Sequence, residues 1–307
     1  MLFFGDLSNQ SLSESIAKGL LLPVSYPDIT VFPDGERRVR INESVLDQEI
    51  IFLKTCNSTL DSYVLETAFL IDAFKRSGAA KVTGIIPYLP YSRADHVFRD
   101  GEAVPLEVVI SLLEGAGLSK IVFVDPHTIK MPEMFSIEVG NLSALEIFAK
   151  KIKEIGYDKE NSVIVSPDMG GLRRMKQLSK MVDDMPFASV EKERNYDSGK
   201  ISAKEIHGDI KKTCFVIDDI ISSGRTIVQA VEQIMSQGAE KIYVFATHPI
   251  LSEEAPNILE KCGAGKIYVT DAIPVPAEKN FEKLEIISLS PVVVSHLKSL
   301  DIHLIEE

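Results

Sequence analysis

The fold is decided by the stretch Thr213-Cys-Phe-Val-Ile-Asp-Asp-Ile-Ile-Ser-Ser-Gly-Arg-Thr226. It contains an unbroken apolar run, Cys214–Ile217, which is typical of a strand buried on both faces of a parallel sheet. Two adjacent carboxylates, Asp218 and Asp219, end that run. Open α/β sheets bind ligands at the carboxyl ends of their strands, so this pair is a candidate binding site.

A turn of small and hydroxyl-bearing residues follows the two carboxylates. It contains Ser222, Ser223, Gly224 and Thr226. Apolar residues then recur at helical spacing until Gly238, where a C-terminal cap is expected. Such a turn at a helix N-terminus presents free N–H groups and the positive end of the helix dipole, which suits a phosphate. The spacing alone is equally consistent with a phosphate-binding turn and with an ordinary strand–turn–helix that has Asp and Ser on its surface.

This stretch resembles the phosphoribosyl-binding motif of type I phosphoribosyltransferases and of ribose-phosphate pyrophosphokinases. In that motif two acidic residues follow a hydrophobic strand and precede a small-residue loop that ends in Gly-Thr. The motif marks the superfamily and does not choose between its enzymes, so the rest of the chain must do that.

Composition bounds the class of protein. A chain of 307 residues with 45% hydrophobic content predicts one large or two medium globular domains. The net charge of -12 argues against a nucleic-acid or anionic-membrane binder. Cys56, Cys214 and Cys262 lack paired or metal-binding spacing, which fits a reducing compartment. With neither a signal peptide nor an apolar run near ~18 residues, we expect a cytoplasmic protein that does not enter membranes.

Strands and helices alternate along the chain, which predicts an α/β fold with mostly parallel sheets. The pattern Gly-Ala-x-Lys-aliphatic occurs at Gly78 and again 160 residues later at Gly238, which hints at a duplicated domain. A helix predicted at 142–155 marks the boundary. With the resemblance, we expect two tandem phosphoribosyltransferase-like domains, 1–143 and 144–307, each a mostly parallel sheet flanked by helices.

Other segments carry polar residues next to predicted strands. His127 follows one strand, where it is either a histidine that makes a structural hydrogen bond or a ligand for a metal or phosphate. Its position at the carboxyl end of the strand favours the ligand. Asp168 precedes two glycines, and this segment is a second candidate turn for binding an anion or a metal. The polar segment 191–204, with a turn at 197–199, is typical of a solvated hairpin. The helix at 60–76 is amphipathic, with Leu65, Phe69 and Ala73 on one face.

Four further stretches are similar to ribose-phosphate pyrophosphokinase signatures, in the expected order. They are Phe32–Glu36 (Phe-x-Asp-Gly-Glu), Pro87–Asp95, Asp125–His127 (Asp-x-His) and Ser166–Gly171 (Ser-Pro-Asp-x-Gly-Gly). Simple phosphoribosyltransferases lack the first three. With the phosphoribosyl motif, the resemblance to this family therefore covers nearly the whole chain.

The resemblance implies transfer of the β,γ-diphosphoryl group of ATP to the anomeric hydroxyl of ribose 5-phosphate, giving phosphoribosyl diphosphate and AMP. ATP would be bound by Phe32, Asp34, Glu36, Arg93 and Asp95. Ribose 5-phosphate would be bound by Asp218, Asp219, Ser222, Ser223, Gly224, Arg225 and Thr226. Mg²⁺ would be bound by His127 and Asp168. Lys192 and Arg194 would be the catalytic pair on a flexible loop.

The resemblance also implies a homo-oligomer in which the ATP site is shared with a neighbouring subunit. The sequence departs from the family pattern at Ala94 and His96, near the nucleotide, and at Ser222 and Arg225, in the phosphate loop. Two alternatives stay open. One is a catalytically silent regulatory homologue, and the other is a phosphoribosyltransferase, which would need a nucleobase acceptor and no ATP.

Overall fold

A computed structural model describes residues 1–56, 59–194 and 201–299, with the backbone alone at 191–194 and 201–205. Contacts between residues divide the chain into two compact units. The first comprises Met1–Ser143, Ala272–Pro274 and the segment that begins at Ser288; the second comprises Ala144–Asp271 and Val275–Ile287. The turn expected at 197–199 lies outside the described residues.

The first unit is an α/β structure around a parallel sheet. Its described strands are β1 (Leu2–Phe4), β2 (Val24–Ser25), β3 (Asp28–Val31), β4 (Arg37–Arg40), β5 (Glu49–Leu53), β6 (Lys81–Ile85), β7 (Lys120–Val124) and β8 (Glu138–Leu142). The sheet has the order β2-β1-β5-β6-β7-β8, and every neighbouring pair is parallel. The helices in its 1–143 segment are α1 (Gln10–Leu20), α2 (Leu60–Arg76) and α3 (Pro105–Gly115).

Strands β3 and β4 stand apart from this sheet as an antiparallel hairpin. The turn between them closes through hydrogen bonds from Gly35 N to Phe32 O at 2.9 Å and from Phe32 N to Glu36 O at 2.8 Å. Most side chains of both strands are exposed or half-buried. The hairpin therefore projects its turn rather than contributing to the core of the unit.

Helix α2 buries a different face from the one expected. Tyr63, Ala68 and Phe74 are buried, and the Phe74 ring lies 4.8 Å from the Phe4 ring between centroids. Leu65 and Phe69 are instead 46% and 43% exposed. The core of this unit takes the adjacent stripe of α2, so the expected apolar face is left on the surface.

The second unit repeats this architecture with an added antiparallel strand. Its described strands are β9 (Ser162–Ser166), β10 (Phe187–Arg194), β11 (Ile201–His207), β12 (Thr213–Ile221), β13 (Lys241–Pro249), β14 (Lys266–Thr270) and β15 (Leu284–Ile287). Its helices are α4 (Leu145–Ile155), α5 (Leu172–Met181), α6 (Arg225–Ser236) and α7 (Ala255–Lys261). The sheet order is β11-β10-β9-β12-β13-β14-β15, parallel except for β10 with β11.

Both sheets share one connectivity. The first unit runs from β1 to β2 on one side and then to β5 on the other; the second runs from β9 to β10 and then to β12. Each sheet therefore has a topological switch point, between β1 and β5 and between β9 and β12, where ligands bind in open α/β sheets. The common order agrees with the internal duplication indicated by the repeated sequence pattern.

The C-terminal helix α8 (Ser290–Ser299) belongs by its contacts to the first unit, although the sequence-based division placed it in the 144–307 domain. Gly19 of α1 lies against Val294, since a Cβ added to it would come within 2.6 Å of that side chain. Gly140 of β8 lies equally close to His296. Two glycines thus make room for α8 on the first unit.

Two further elements differ from the sequence-based expectation. Strand β8 was not anticipated, because its residues include glycine and asparagine and precede the expected helix directly. Strand β12 does not end at the carboxylates but continues to Ile221, since its ladder with β13 extends to Ile221 and Pro249. Across the described residues, the helices are too short or too polar for any of them to cross a membrane.

Candidate functional site

Strand β12 carries Asp218 and Asp219 to the switch point of the second unit. Its ladder with β9 ends at the pair Val216 and Val165, whereas its ladder with β13 continues past the carboxylates. Both aspartates are 91% buried, and the Asp219 amide donates to Asp218 Oδ1 at 2.9 Å. The sequence thus places two largely buried carboxylates beside the end of β9.

Strand β9 supplies a third carboxylate to the same place. Asp168 follows β9 by two residues and caps a short 3-10 turn, accepting a hydrogen bond from the Gly170 amide at 2.9 Å. Burial raises the pKa of Asp218 well above its ordinary value, and the charges of Asp219 and Asp168 raise it further. The structure therefore brings together three residues that were predicted from separate motifs.

One cation close to these carboxylates was missed at the sequence level. Arg174, on α5, places Nη1 3.8 Å from Asp219 Oδ1 and is largely buried. Its signal was the pair of arginines after Gly171, at the start of the helix that Asp168 precedes. Arg174 gives the site a positive charge close to the three carboxylates.

The small-residue turn connects β12 to the N-terminus of α6. Gly224 has φ 75°, a left-handed conformation that glycine adopts without strain, and it immediately precedes α6. The first amides of α6 have no partner within the helix and lie at the positive end of its dipole. Ser222 Oγ lies 3.3 Å from Ser252 Oγ, so a neighbouring loop supports the turn. Arg225 is exposed and begins α6.

The acidic groups of the second unit fit a loosely held divalent cation. Within the part of the chain that the structure describes, no group of three or more His, Cys, Asp and Glu side chains is arranged to hold a metal alone. Mg²⁺ is usually held by one or two carboxylates together with substrate phosphates and water. Asp168, beside Asp218, stays our candidate for such a carboxylate. His127 belongs to the first unit, so its pairing with Asp168 stays a prediction.

The expected catalytic pair, Lys192 and Arg194, lies on strand β10. The backbone of Lys192 pairs with Ala203 and that of Arg194 with Ile201, in the antiparallel ladder of β10 and β11. The ladder shifts its register between Glu191 and Lys192. The expected hairpin is thus present as an extension of the sheet, next to β9, while its turn lies outside the described residues.

In the first unit, two loops at the carboxyl ends of neighbouring strands meet. Partial burial raises the pKa of Asp95, but hydrogen bonds from Thr128 and His96 outweigh it and hold that pKa below its ordinary value. Asp95 therefore joins the loop after β6 to the loop that contains exposed His127. Tyr91 and Asp125 have φ 65° and 41°, strained values for residues with side chains. Such strain is concentrated at functional sites.

Three of the four remaining nucleotide candidates, Phe32, Asp34 and Glu36, lie at the tip of the β3–β4 hairpin. Phe32 is 40% exposed, and the Arg38 guanidinium lies 5.8 Å from its ring centroid. Asp34 Oδ1 accepts a hydrogen bond from the Glu36 amide at 3.1 Å. Glu36 itself is exposed in the turn. Arg93 is also exposed and follows β6 on a separate loop. That these groups form one ATP site stays a prediction.

Comparisons with known proteins agree over the whole chain. Residues 1–117 match the model for the N-terminal domain of ribose phosphate pyrophosphokinase, and residues 140–257 match the phosphoribosyl transferase domain. The chain is 31% identical over 302 residues to a ribose-phosphate pyrophosphokinase of Mycobacterium bovis, covering 98% of this chain and 92% of that protein. It is 31% identical over 292 residues to ribose-phosphate pyrophosphokinase 1 of Streptococcus pyogenes, covering 94% and 91%.

A solved structure gives the same result for the fold. The crystal structure of phosphoribosylpyrophosphate synthetase from Mycobacterium smegmatis matches with a TM-score of 0.89 and 31% identity, covering 97% of this chain and 98% of that one. The chain belongs to the ribose-phosphate pyrophosphokinase family. The resemblance seen in the sequence is thereby confirmed, as is the fold of two tandem phosphoribosyltransferase-like domains.

Within this ribose-phosphate pyrophosphokinase fold, the predicted residues other than Lys192 and Arg194, which lie on β10, fall into two groups. The phosphoribosyl motif and Asp168 come together at the switch point of the second unit. The nucleotide candidates and His127 belong to the first unit, on the hairpin and on the loops after β6 and β7. Sequence motifs located each group, but they did not reveal Arg174 or the hydrogen bond between Asp95 and Thr128.

Proposed function

We propose that this protein transfers the β,γ-diphosphoryl group of ATP to the anomeric hydroxyl of ribose 5-phosphate, forming phosphoribosyl diphosphate and AMP. The observation that carries the proposal is the site of the second unit, where the carboxylates of Asp168, Asp218 and Asp219 lie beside the turn into α6. A family match along both domains supports the same reaction.

The second unit supplies groups of both kinds that a sugar phosphate requires. Carboxylates only accept hydrogen bonds when ionised, so Asp218 and Asp219 suit the hydroxyls of a ribose. The turn Ser222–Thr226 at the N-terminus of α6 suits the 5-phosphate. Arg174 compensates part of the negative charge of the carboxylates. Together these groups would hold the sugar between the carboxylates and the N-terminus of α6.

The other roles concern the nucleotide and the transferred group. Phe32, Asp34 and Glu36, with Arg93 and Asp95, are our candidates for ATP. Asp168 and His127 are our candidate ligands for Mg²⁺, which would neutralise charge on the phosphate groups. Lys192 and Arg194 would stabilise the diphosphoryl group where charge changes in the transition state, as positioned cations do in phosphoryl transfer.

We further propose that the protein is a cytoplasmic homo-oligomer whose ATP site includes residues of a neighbouring subunit. The hairpin tip that carries Phe32 is exposed, as are the apolar side chains of Leu65 and Phe69 on α2. Cys56, Cys214 and Cys262 are buried and are not joined in a disulfide, which suits a reducing compartment. With its net charge of -12, the protein has no general affinity for nucleic acid in this proposal.

The test is an assay of purified protein with ATP, ribose 5-phosphate and Mg²⁺, in which adenine nucleotides are separated and quantified. We expect AMP to form only when the sugar phosphate and the divalent metal are both present. ADP as the product, or AMP formation without the sugar, would contradict diphosphoryl transfer. Binding of both ligands without turnover would indicate a silent homologue, and consumption of phosphoribosyl diphosphate with a nucleobase would indicate a phosphoribosyltransferase.

A further inference from the structure

The switch point of the first unit differs chemically from that of the second. Where β12 carries two carboxylates, the corresponding strand β5 is followed by Lys54 and Thr55. The Lys54 side chain is only 4% exposed. Its backbone is fixed, because its amide donates to Ile85 O at 2.9 Å and its carbonyl accepts from Tyr63 Oη at 3.0 Å. A buried cation thus occupies the place where a sugar would be bound.

The charge of Lys54 is taken up by helix α2. Lys54 Nζ donates to Glu66 Oε2 at 3.1 Å, and Glu66 is itself almost fully buried. The other oxygen, Glu66 Oε1, accepts from Arg37 Nε at 2.5 Å. One buried carboxylate is therefore shared by two cations from different elements, and each of its oxygens is used.

Arg37 is the link from this buried pair to the hairpin. It is the first residue of β4 and directly follows Glu36, the last of the candidate nucleotide residues in the turn. Its second nitrogen, Nη1, donates to Gly35 O at 3.2 Å, within the same turn. A single side chain therefore connects the turn to helix α2 through the Glu66 carboxylate.

The hairpin needs such an attachment. It shares no ladder with the main sheet, and two strands alone are marginally stable in water, so it depends on the contacts of β4 with α2. A cavity of about 200 Å³, lined among others by Pro27, Ile29, Lys54 and Glu66, adjoins its first strand. Apolar packing is incomplete there, so the polar contacts of Arg37 take a larger share in setting the position of the turn.

We propose that Arg37, Glu66 and Lys54 form a clamp that positions the β3–β4 hairpin for nucleotide binding. The inference rests on the proposed function, in which Phe32, Asp34 and Glu36 contact ATP. The three clamp residues touch neither the nucleotide nor the sugar in this proposal. They hold the hairpin in the position in which the residues at its tip can contact the nucleotide.

The test compares Arg37→Gln with two variants, Arg37→Lys and Arg40→Gln. Arg40 lies on the same strand, is exposed and loses the same charge, so it controls for electrostatics of the hairpin. Loss of a charge-assisted hydrogen bond at the clamp should raise KM for ATP about tenfold, with kcat and KM for ribose 5-phosphate nearly unchanged. Arg37→Lys keeps the ion pair with Glu66 and should recover part of the loss, whereas Arg40→Gln should resemble wild type.

Hydrogen exchange of residues 28–40 gives a second readout that does not depend on activity. Arg37→Gln should accelerate exchange in the hairpin and leave β5 and β6 unchanged, at an unaltered melting temperature. Glu66→Gln should accelerate exchange in the hairpin in the same way, but at a lower melting temperature, because it leaves the buried Lys54 ammonium without its carboxylate. The double variant should add little to the exchange rate of either single variant.

Unchanged KM for ATP in an active Arg37→Gln enzyme would overturn this inference alone and leave the proposed function in place. Equal losses for both substrates would assign Arg37 a merely structural role and would also overturn it. A wild-type protein that forms no AMP would overturn the proposed function instead, and the exchange measurement would still decide whether the clamp holds the hairpin.

Discussion

At the scale of single residues, Asp218 combines burial with its proposed role in binding the sugar. It lies in a strand whose neighbours are apolar, yet Asp219 and Asp168 add two further carboxylates around it. Without a bound cation or sugar, its ionised form is costly because it has lost water and faces like charges. Residues that bind ligands in this way reduce the stability of the free protein.

Because of this cost, Asp218 makes the free energy of unfolding depend on pH. Its pKa is raised in the folded state, so the folded protein holds the proton more tightly than the unfolded chain. The resulting stabilisation is complete below the unfolded pKa of about 3.9 and is lost as pH rises through the folded pKa. Asp218→Asn should therefore increase the free energy of unfolding at pH 8 by about 1 kcal/mol or more, and this gain should shrink towards pH 4.

Denaturant unfolding of both proteins at pH 4, 6 and 8, without metal or ligand, measures the gain. Asp184→Asn is a matched control, since Asp184 is exposed and lies in a turn of the same unit. The affinity for ribose 5-phosphate should fall in Asp218→Asn while the affinity for ATP is retained. A stability difference that is the same at all three pH values would contradict the assignment of a buried, proton-binding Asp218.

At the scale of elements, sequence patterns located strands and helices better than their ends or faces. The apolar run 214–217 predicted β12, but its continuation to Ile221 depends on hydrogen bonding to β13, which a local pattern does not contain. Helix α2 was predicted correctly, yet Leu65 and Phe69 are exposed. Two apolar stripes compete on that helix, and only tertiary packing selects the one that becomes buried.

The turn into α6 offers a test at this scale, through two glycines with left-handed backbone. Gly224 has φ 75°, and an added Cβ would come within 3.1 Å of Leu259. Gly238, after the same helix, has φ 94° and open space around it. Alanine at either position should cost about 1–2 kcal/mol of stability for the backbone conformation alone. Only Gly224→Ala also displaces the turn that is proposed to hold the 5-phosphate.

We therefore expect Gly224→Ala to weaken ribose 5-phosphate binding at least about tenfold, while Gly238→Ala leaves it unchanged. Calorimetric titration of both variants, with melting temperatures measured in parallel, separates binding from stability. Equal affinities in the two variants would show that the position of this turn does not matter for the sugar phosphate.

At the scale of the whole molecule, the sequence predicted the two-domain architecture because the motifs of one family occur in order along the chain. The matching connectivity of the two sheets accords with the pattern that repeats after 160 residues. The placement of α8 could not be predicted in this way. That helix packs against elements of the first unit, through contacts at Gly19 and Gly140 that are distant in sequence. The clamp around Glu66 was equally hidden, because its three members come from three elements.

The apolar surface of the first unit has consequences for assembly. Leu65 and Phe69 are one helical turn apart on α2, and Val108 and Leu112 are exposed with the same spacing on α3, which packs against α2. A surface of this kind on packed helices is typical of an interaction site. With the proposed homo-oligomer, a second copy of the chain is the partner that we expect there.

Phe69→Lys tests this assembly, because it places a charge in the middle of the exposed apolar stripe. Burial of a phenylalanine side chain contributes about 1.5–3 kcal/mol, so its loss should weaken self-association by about tenfold or more. Light scattering after size-exclusion chromatography should show a smaller species. Leu21→Lys is the control, since Leu21 is 82% exposed and gains the same charge outside this stripe.

If the hairpin tip serves a neighbouring subunit, Phe69→Lys should also raise KM for ATP at low protein concentration, while ribose 5-phosphate binding, which is proposed to use the second unit, is retained. An unchanged mass for Phe69→Lys, or equal dissociation of both variants, would rule out this face as the interface.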